Sequence, residues 1–250
     1  MSVSEMRERH RDAMEIPDFA SLVRSSCCVH WRRERSVIAC GREASHPTLE
    51  PRAPESLKLA RAVGRGQIVL LSSHFERYIY SLNEELVTFL NMQKVPGDKI
   101  SEKIRLQHSM TSVDELAKVG WENRSQKLQT FVADESWLWA KSTSGLISHE
   151  RLLVWMKAPH PKDLVRFFRL WGCDDIFTAI TRKATSRTTL WLSVQGLVDL
   201  RNNIAHGDYA AQATQQDVRR YIRGIREFCE RADRYVAVVV ARQYAIPRPW

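Results

Sequence analysis

The chain has 250 residues, of which 44% are apolar, and this is enough to bury a substantial core in one or two domains. No run of about 18 apolar residues is present, so no transmembrane helix and no membrane partner are expected. The first 30 residues mix acidic and basic side chains and lack the apolar segment of a secretory signal. The formal net charge of +9 favours an anionic partner, of which nucleic acid is the usual one.

Cysteine usage points to a reducing compartment. The chain contains five cysteines: Cys27, Cys28, Cys40, Cys173 and Cys229. Their odd number and irregular spacing argue against a disulfide framework and favour a cytoplasmic protein. The first three, with His30 and His46, could be considered as zinc ligands, but they lack the usual two cysteines separated by two to four residues. We therefore expect no metal and no other cofactor.

Residues 1–54 differ from the rest of the chain. They contain prolines at positions 17, 47, 51 and 54, and their helical periodicity is short and interrupted. The WRRER run within them is expected to be a solvated charged segment. These features predict an irregular N-terminal arm with a short helix, followed by one helical domain over residues 55–250.

The helical domain begins with the longest periodic segment of the sequence. Apolar residues recur there at steps of three and four, which is typical of an amphipathic helix. The pattern predicts a helix from Glu55 to near Asn91, where the following Pro96-Gly97 pair should break it.

Shorter helices are predicted in the middle of the chain, over residues 98–107, 112–119 and 123–139. A further helix is expected in HPKDLVRFFRLWG, because Pro161 suits a first helical turn and Gly172 suits a C-terminal cap.

The last third of the chain predicts two more helices. One carries an apolar stripe through Leu190 and Val194 and runs to His206. The other opens at Thr214 with a capping box completed by Asp217, and its stripe continues through the VAVVVA segment. No segment has the pattern of a strand pair. The sequence therefore predicts an all-α fold.

The stretch LVDLRNNIAHGD, residues 197–208, places polar side chains at the end of this apolar helix. At 3.6 residues per turn, Arg201 falls on the apolar stripe, although a guanidinium is rarely buried without a partner. This face must therefore meet a cleft, an acidic group or a second subunit. His206 lies about 140° around the axis from Arg201. Either the backbone leaves the helix between them, or two copies of the motif meet across an interface.

These residue types suit phosphodiester chemistry. His206 can transfer protons near neutral pH, and Arg201 can hold phosphate oxygens and stabilise developing charge. Asn202 shares a helix face with His206 and is expected to hydrogen-bond its imidazole. The structural alternative is that His206 caps the helix and Arg201 forms a structural ion pair.

RNNIAH resembles the R-x4-6-H motif of the HEPN superfamily, with Asn202 as the polar residue that often follows the arginine. VLLSSHFERYIYSL resembles the first core helix of the RiboL-PSP branch, including a glutamate, Glu76, in the corresponding stretch, which is a candidate polar residue of the cleft. HPKDLVRFFRLWGCDDIF resembles the middle segment of that branch. The resemblance covers residues 55–240.

The resemblance implies a HEPN-type helical bundle that forms a homodimer with a composite active site. It further implies metal-independent RNA cleavage that leaves 2′,3′-cyclic phosphate and 5′-hydroxyl ends. His206 would transfer protons, Arg201 would clamp the phosphate, and Asn202 would orient or bind. For Glu76, a structural ion pair is the favoured alternative. A toxin-like or anti-phage defence role, with an antitoxin or defence-system partner, is also implied.

Two other functions stay open. The chain could be a non-catalytic HEPN module that binds RNA, a nucleotide or a protein, or it could be a scaffold in which the motif only caps a helix. One HEPN subgroup carries a tyrosine two residues after its histidine, where a partner enzyme modifies it. Tyr209 lies three residues after His206, which argues against that form of regulation.

Overall fold

Eight α-helices and one short 3₁₀ helix form the part of the chain that this computed structural model describes, residues 54–250. The helices are α1 (Pro54–Met92), α2 (Glu102–Lys118), α3 (Trp121–Trp139), α4 (His149–Leu153), α5 (Pro161–Leu170), α6 (Ile176–Ala179), α7 (Ala184–Ala205) and α8 (Gln215–Tyr244). The 3₁₀ helix is Gly97–Lys99. No strand occurs within residues 54–250, so the all-α prediction is confirmed. The predicted arm, the WRRER run and the cysteine–histidine group at 27–46 lie outside the described residues.

Three long helices, α1, α7 and α8, pack against one another around an aromatic core. The ring of Phe228 lies at its centre, 5.8 Å from Phe75, 6.1 Å from Phe168 and 5.3 Å from Phe177 between centroids. Rings at these separations add attraction beyond the burial of their area. The apolar stripes predicted for these helices therefore meet in one core.

The directions of the three helices decide which segments share an end of the bundle. Helices α1 and α8 run in the same direction, because Gly64 lies against Ala213 and Tyr78 reaches Asp233 farther along. A side chain at Gly64 would bring its Cβ to 2.9 Å from the carbonyl oxygen of Ala213. Helix α7 runs the opposite way and returns into α8 through a short loop. The C-terminus of α7 and the N-terminal part of α1 therefore lie at the same end.

Most helix signals of the sequence are confirmed. Pro161 begins α5, and Gly172 follows it with a φ of 85°. Thr214 and Asp217 form the predicted capping box of α8, which includes the VAVVVA segment. Helix α7 starts at Ala184, earlier than its apolar stripe indicated. None of the described helices combines the length and apolarity needed to cross a membrane.

The prediction of two helices over residues 98–107 and 112–119 is wrong. One helix, α2, runs from Glu102 to Lys118 through most of both segments, and Gly97–Lys99 forms a separate 3₁₀ turn before it. Helix α2 continues because the hydroxyls of Ser109 and Ser112, which could compete for backbone hydrogen bonds, donate instead to Glu135 of α3.

A buried polar cluster joins α2, α3 and α4. Glu135 is 1% exposed, and its carboxylate accepts hydrogen bonds from His108 Nδ1 at 3.0 Å, Ser109 Oγ at 3.0 Å and Ser112 Oγ at 3.3 Å. Arg151 Nη1 donates to the same carboxylate. A buried carboxylate is tolerated when it is paired and hydrogen-bonded in this way.

The two ring nitrogens of His108 have different roles in this cluster. The backbone N–H of Ser148 donates to Nε2 at 3.0 Å, so Nε2 must accept and the proton must lie on Nδ1, facing Glu135. Burial lowers the pKa of His108, and the nearby Glu135 opposes that shift only in part. The imidazole is therefore a neutral bridge between the α3 carboxylate and the loop that precedes α4.

Asp233 makes a testable contribution to the pH dependence of stability. Tyr78 donates to its carboxylate at 2.5 Å, and burial raises the pKa of Asp233 to about 6, with Glu85 and Glu230 adding to the rise. Because the folded-state pKa lies above the unfolded value, the folded protein binds the extra proton, and stability falls as pH rises from about 4 to about 6. Asp233→Asn should raise the free energy of unfolding at pH 7 by about 1–3 kcal/mol, since it keeps an acceptor for Tyr78 without the buried charge.

The measurement is urea unfolding of wild type and Asp233→Asn at pH 5 and pH 7.5. Asp114→Asn is the matched control, because Asp114 is exposed and the change in charge is the same. A gain in stability that is equal at both pH values, or equal in the control, would contradict the assignment.

Candidate functional site

Helix α7 ends as the sequence predicts, at the RNNIAHGD segment. The backbone N–H of His206 still donates to the carbonyl of Asn202 at 2.9 Å, which is the helical pattern. Gly207 then takes a φ of 82°, a conformation that glycine adopts without strain, and its N–H donates to the carbonyl of Ile204 at 3.1 Å. The backbone is therefore helical from Arg201 to Ala205, and His206 is the C-cap residue.

Arg201 is half-buried and has no ion pair with any residue that the structure describes. Its Nη1 donates to Oδ1 of Asn202 at 3.0 Å. The nearest carboxylate in sequence, Asp199, accepts instead from Gln195 at 2.8 Å and lies 3.9 Å from Nδ1 of His160. The guanidinium is thus oriented by a neutral amide, and most of its five N–H donors stay available for an anion.

His206 is exposed, and its ring makes no hydrogen bond to a residue within 54–250. The predicted bond between Asn202 and the imidazole is therefore wrong, because the amide oxygen of Asn202 is engaged by Arg201. With the backbone helical between them, the side chains of Arg201 and His206 leave the axis about 140° apart. A single chain accordingly brings Arg201 together with Asn202 but does not bring Arg201 together with His206.

Arg65 is a residue of this site that the sequence did not reveal. It extends from α1 to the end of α7, where its Nη1 donates to the carbonyl of Asp208 at 2.9 Å and its Nη2 to that of Ile204 at 3.5 Å. Its guanidinium also lies 5.8 Å from the centroid of the Tyr209 ring. The carbonyl end of a helix carries partial negative charge and favours a cation, so Arg65 holds the loop that follows His206. Nothing in the sequence pointed to Arg65 in particular; the general expectation was only that the carbonyl end of a helix favours a cationic partner.

The comparison with known families places most of the chain, including this segment, in one family. The model of the RiboL-PSP-HEPN family matches residues 43–237, which is most of the chain. The chain belongs to the RiboL-PSP-HEPN family. The superfamily recognised from the RNNIAH segment is thereby confirmed, and the helical architecture is that of HEPN domains. No curated protein and no solved structure gave a significant match.

Membership limits the functional class without specifying the reaction. HEPN domains include ribonucleases and nucleotide-binding modules, and they bind RNA and often dimerise. Among the described residues, no group of three or more His, Cys, Asp or Glu side chains is placed to hold a metal ion.

No hydrogen bond or ion pair within residues 54–250 joins Glu76 to a residue of the RNNIAH motif. Glu76 is half-buried on α1 near Tyr80, whose pKa is raised mainly by burial and further by the negative charge of this carboxylate. Glu76 lies eleven residues beyond Arg65 on the same face of α1, which is about 16 Å along the helix. It is therefore displaced from His206, toward the middle of the bundle.

Tyr209 of the HEPN motif loop is 86% exposed and lies against Arg65. Its ring is therefore presented at the surface beside the motif. Its position three residues after His206 still departs from the subgroup in which the tyrosine follows by two.

Proposed function

We propose that the protein is an endoribonuclease in which the HEPN motifs of two copies form the active site. The observation that carries the proposal is the half-buried Arg201, oriented by Asn202 and lacking a carboxylate partner among the described residues. A scaffold role would call for Arg201 to be neutralised within its own chain. An arginine held in place with free donors is instead suited to a phosphate.

The reaction follows from the two side chains. His206 takes the proton of the ribose 2′-hydroxyl, and the 2′-oxygen attacks the adjacent phosphorus. The bond from phosphorus to the 5′-oxygen breaks, that oxygen receives a proton from water, and the imidazolium of His206 returns its proton to water. Arg201 binds the non-bridging oxygens, where negative charge increases in the transition state. The products are a 2′,3′-cyclic phosphate and a 5′-hydroxyl, and no metal ion takes part.

Two copies are invoked because of the direction of the side chains. Within one helix Arg201 and His206 diverge by about 140°, which is too far for both to reach one phosphate. A two-fold interface at this end of the bundle would bring Arg201 of one copy toward His206 of the other, since such an interface presents the same surface twice. The frequent dimerisation of HEPN domains supports this arrangement.

The test is cleavage of total RNA by purified protein in EDTA, followed by analysis of the fragment ends. We expect cyclic phosphate ends from wild type, and a fall in rate of about 10²–10⁴-fold for His206→Ala, which is typical of losing a proton-transfer group. Arg201→Ala should show a comparable loss. Asn203→Ala is the control, because its side chain is exposed in the same segment and should leave the rate near that of wild type.

One observation favours a second function, a non-catalytic module that binds RNA or a nucleotide. The ring of His206 has no hydrogen-bond partner within residues 54–250 that would orient it for proton transfer. In that case wild type would bind RNA without cutting it, and His206→Ala would bind equally well, whereas Arg201→Ala would bind more weakly.

A further inference from the structure

A second cationic site lies at the opposite end of α7 from the HEPN motif. An open groove of about 560 Å³ separates the loop that precedes α7 from the middle of α8. Helix α7 has 22 residues and is therefore about 33 Å long, so this groove is on the order of 30 Å from His206. The groove is thus separate from the proposed catalytic residues.

Positive charge dominates the groove. Four of its eight lining residues are cationic and none is acidic; the four are Arg182, Lys183, Arg231 and Arg234. Arg231 is compensated by Glu227 at 2.5 Å and also donates to a backbone carbonyl. Arg182 and Lys183 are exposed and form no hydrogen bond or ion pair with a residue within 54–250. The groove therefore carries charge that its immediate neighbours do not neutralise.

The start of α7 adds to this potential. Lys183 is the N-cap residue, its side chain forms no capping hydrogen bond, and no acidic residue occurs in the first turn. The first backbone N–H groups of a helix lack partners within the helix and favour an anion. At α7 these N–H groups lie beside the groove and its cationic side chains. The helix end and the side chains both favour a negatively charged ligand in the groove.

The floor of the groove is apolar. It includes Ile180 and Val238, together with the half-buried Tyr235. A half-buried aromatic ring beside cationic side chains is the combination that accepts a base and its phosphate. A simple inorganic anion would leave this surface unused.

We propose that the groove binds the phosphate of a nucleotide ligand, in the form of an RNA strand or a free mononucleotide. If the ligand is an RNA strand, the groove holds substrate RNA at a distance from the cleavage site. In that case this proposal rests on the proposed ribonuclease function. Arg182 and Lys183 contact phosphate oxygens, and Tyr235 with its apolar neighbours contacts the base.

The experiment measures binding without cleavage. All proteins carry His206→Ala, and the probes are a short fluorescent single-stranded oligoribonucleotide and AMP. Arg182→Glu/Lys183→Glu is compared with Lys141→Glu/Lys157→Glu, which changes the net charge equally at exposed lysines outside the groove. Thermal unfolding of each protein shows that it is folded.

We expect the groove variant to bind the oligoribonucleotide at least about tenfold more weakly than the control variant. The slope of log K against log salt should become less negative by about 1.4, since each lost contact to a single strand contributes about 0.7 to its magnitude. Loss of RNA binding alone identifies a strand as the ligand, and loss of AMP binding identifies a mononucleotide. Equal affinity of the two charge variants for both probes would overturn the proposal, whether or not wild type cleaves RNA.

Discussion

An equimolar mixture of Arg201→Ala and His206→Ala proteins should recover about a quarter of the wild-type rate of RNA cleavage, although each variant alone is nearly inactive. Random pairing makes half of the dimers mixed. In a composite site that takes Arg201 from one copy and His206 from the other, each mixed dimer keeps one intact site of two. Recovery from a level about 10²–10⁴-fold below wild type is therefore a large effect.

The measurement uses coexpressed variants with different affinity tags, so that mixed dimers are purified before assay; these should show about half of the wild-type rate, because each keeps one intact site of two. The matched control is a dimer in which both copies carry His206→Ala and each copy carries a different one of the two tags. This dimer should stay inactive. If purified mixed dimers of Arg201→Ala and His206→Ala were as inactive as this control, both side chains would have to act within one chain. The 140° divergence along α7 would then need another explanation.

Glu135→Leu should lower the free energy of unfolding by about 3–5 kcal/mol, which is typical of removing one partner from a buried charged cluster. The substitution leaves His108 and Ser109 buried without their acceptor. Arg151 is 33% exposed and can turn toward water, so the loss should fall in the lower part of this range. Glu135→Gln keeps an acceptor and should cost about 1–3 kcal/mol.

The measurement is chemical unfolding near pH 7, and the neighbouring Asp134→Leu is the matched control. Asp134 is exposed on the same helix, so its substitution should change stability by no more than about 0.5 kcal/mol. Equal stabilities of the Glu135 and Asp134 variants would show that the cluster does not hold α3 in place.

The same cluster has a defined direction of pH dependence. Because the folded-state pKa of His108 is lowered below its ordinary value of 6.5, the unfolded chain binds more protons there as the solution is acidified. Its contribution to stability is complete above pH 6.5 and declines as pH falls toward the folded-state pKa. Protonation would also break the hydrogen bond from Ser148 to Nε2.

Local patterns in the sequence were sufficient for several features of the site. The stripe of α7 and Gly207 indicated where the helix ends, since capping depends on residues adjacent in sequence. Arg201 was recognised as anomalous because a permanent charge on an apolar stripe conflicts with burial. The divergence of Arg201 and His206 also follows from helical geometry once the helix is known to be continuous.

Other features depended on partners far away in the chain. Asn202 was expected to bond His206 because they share a helix face, but the half-buried Arg201 competes for the same amide oxygen. Glu135 looks like an ordinary surface residue in sequence, and it becomes buried only because α2 and α4 supply four donors. The continuity of α2 across the predicted break has the same cause.

The sequence alone was enough to predict an all-α chain, its main helices and its membership of the HEPN superfamily, because helical periodicity, capping and the RNNIAH motif are local patterns. Tertiary structure decided that Arg65 holds the end of α7, that Glu76 lies away from His206, and that Arg182 and Lys183 join Arg231 and Arg234 around a groove. Such pairings depend on the register and direction in which helices distant in sequence pack, and no short stretch of sequence encodes either.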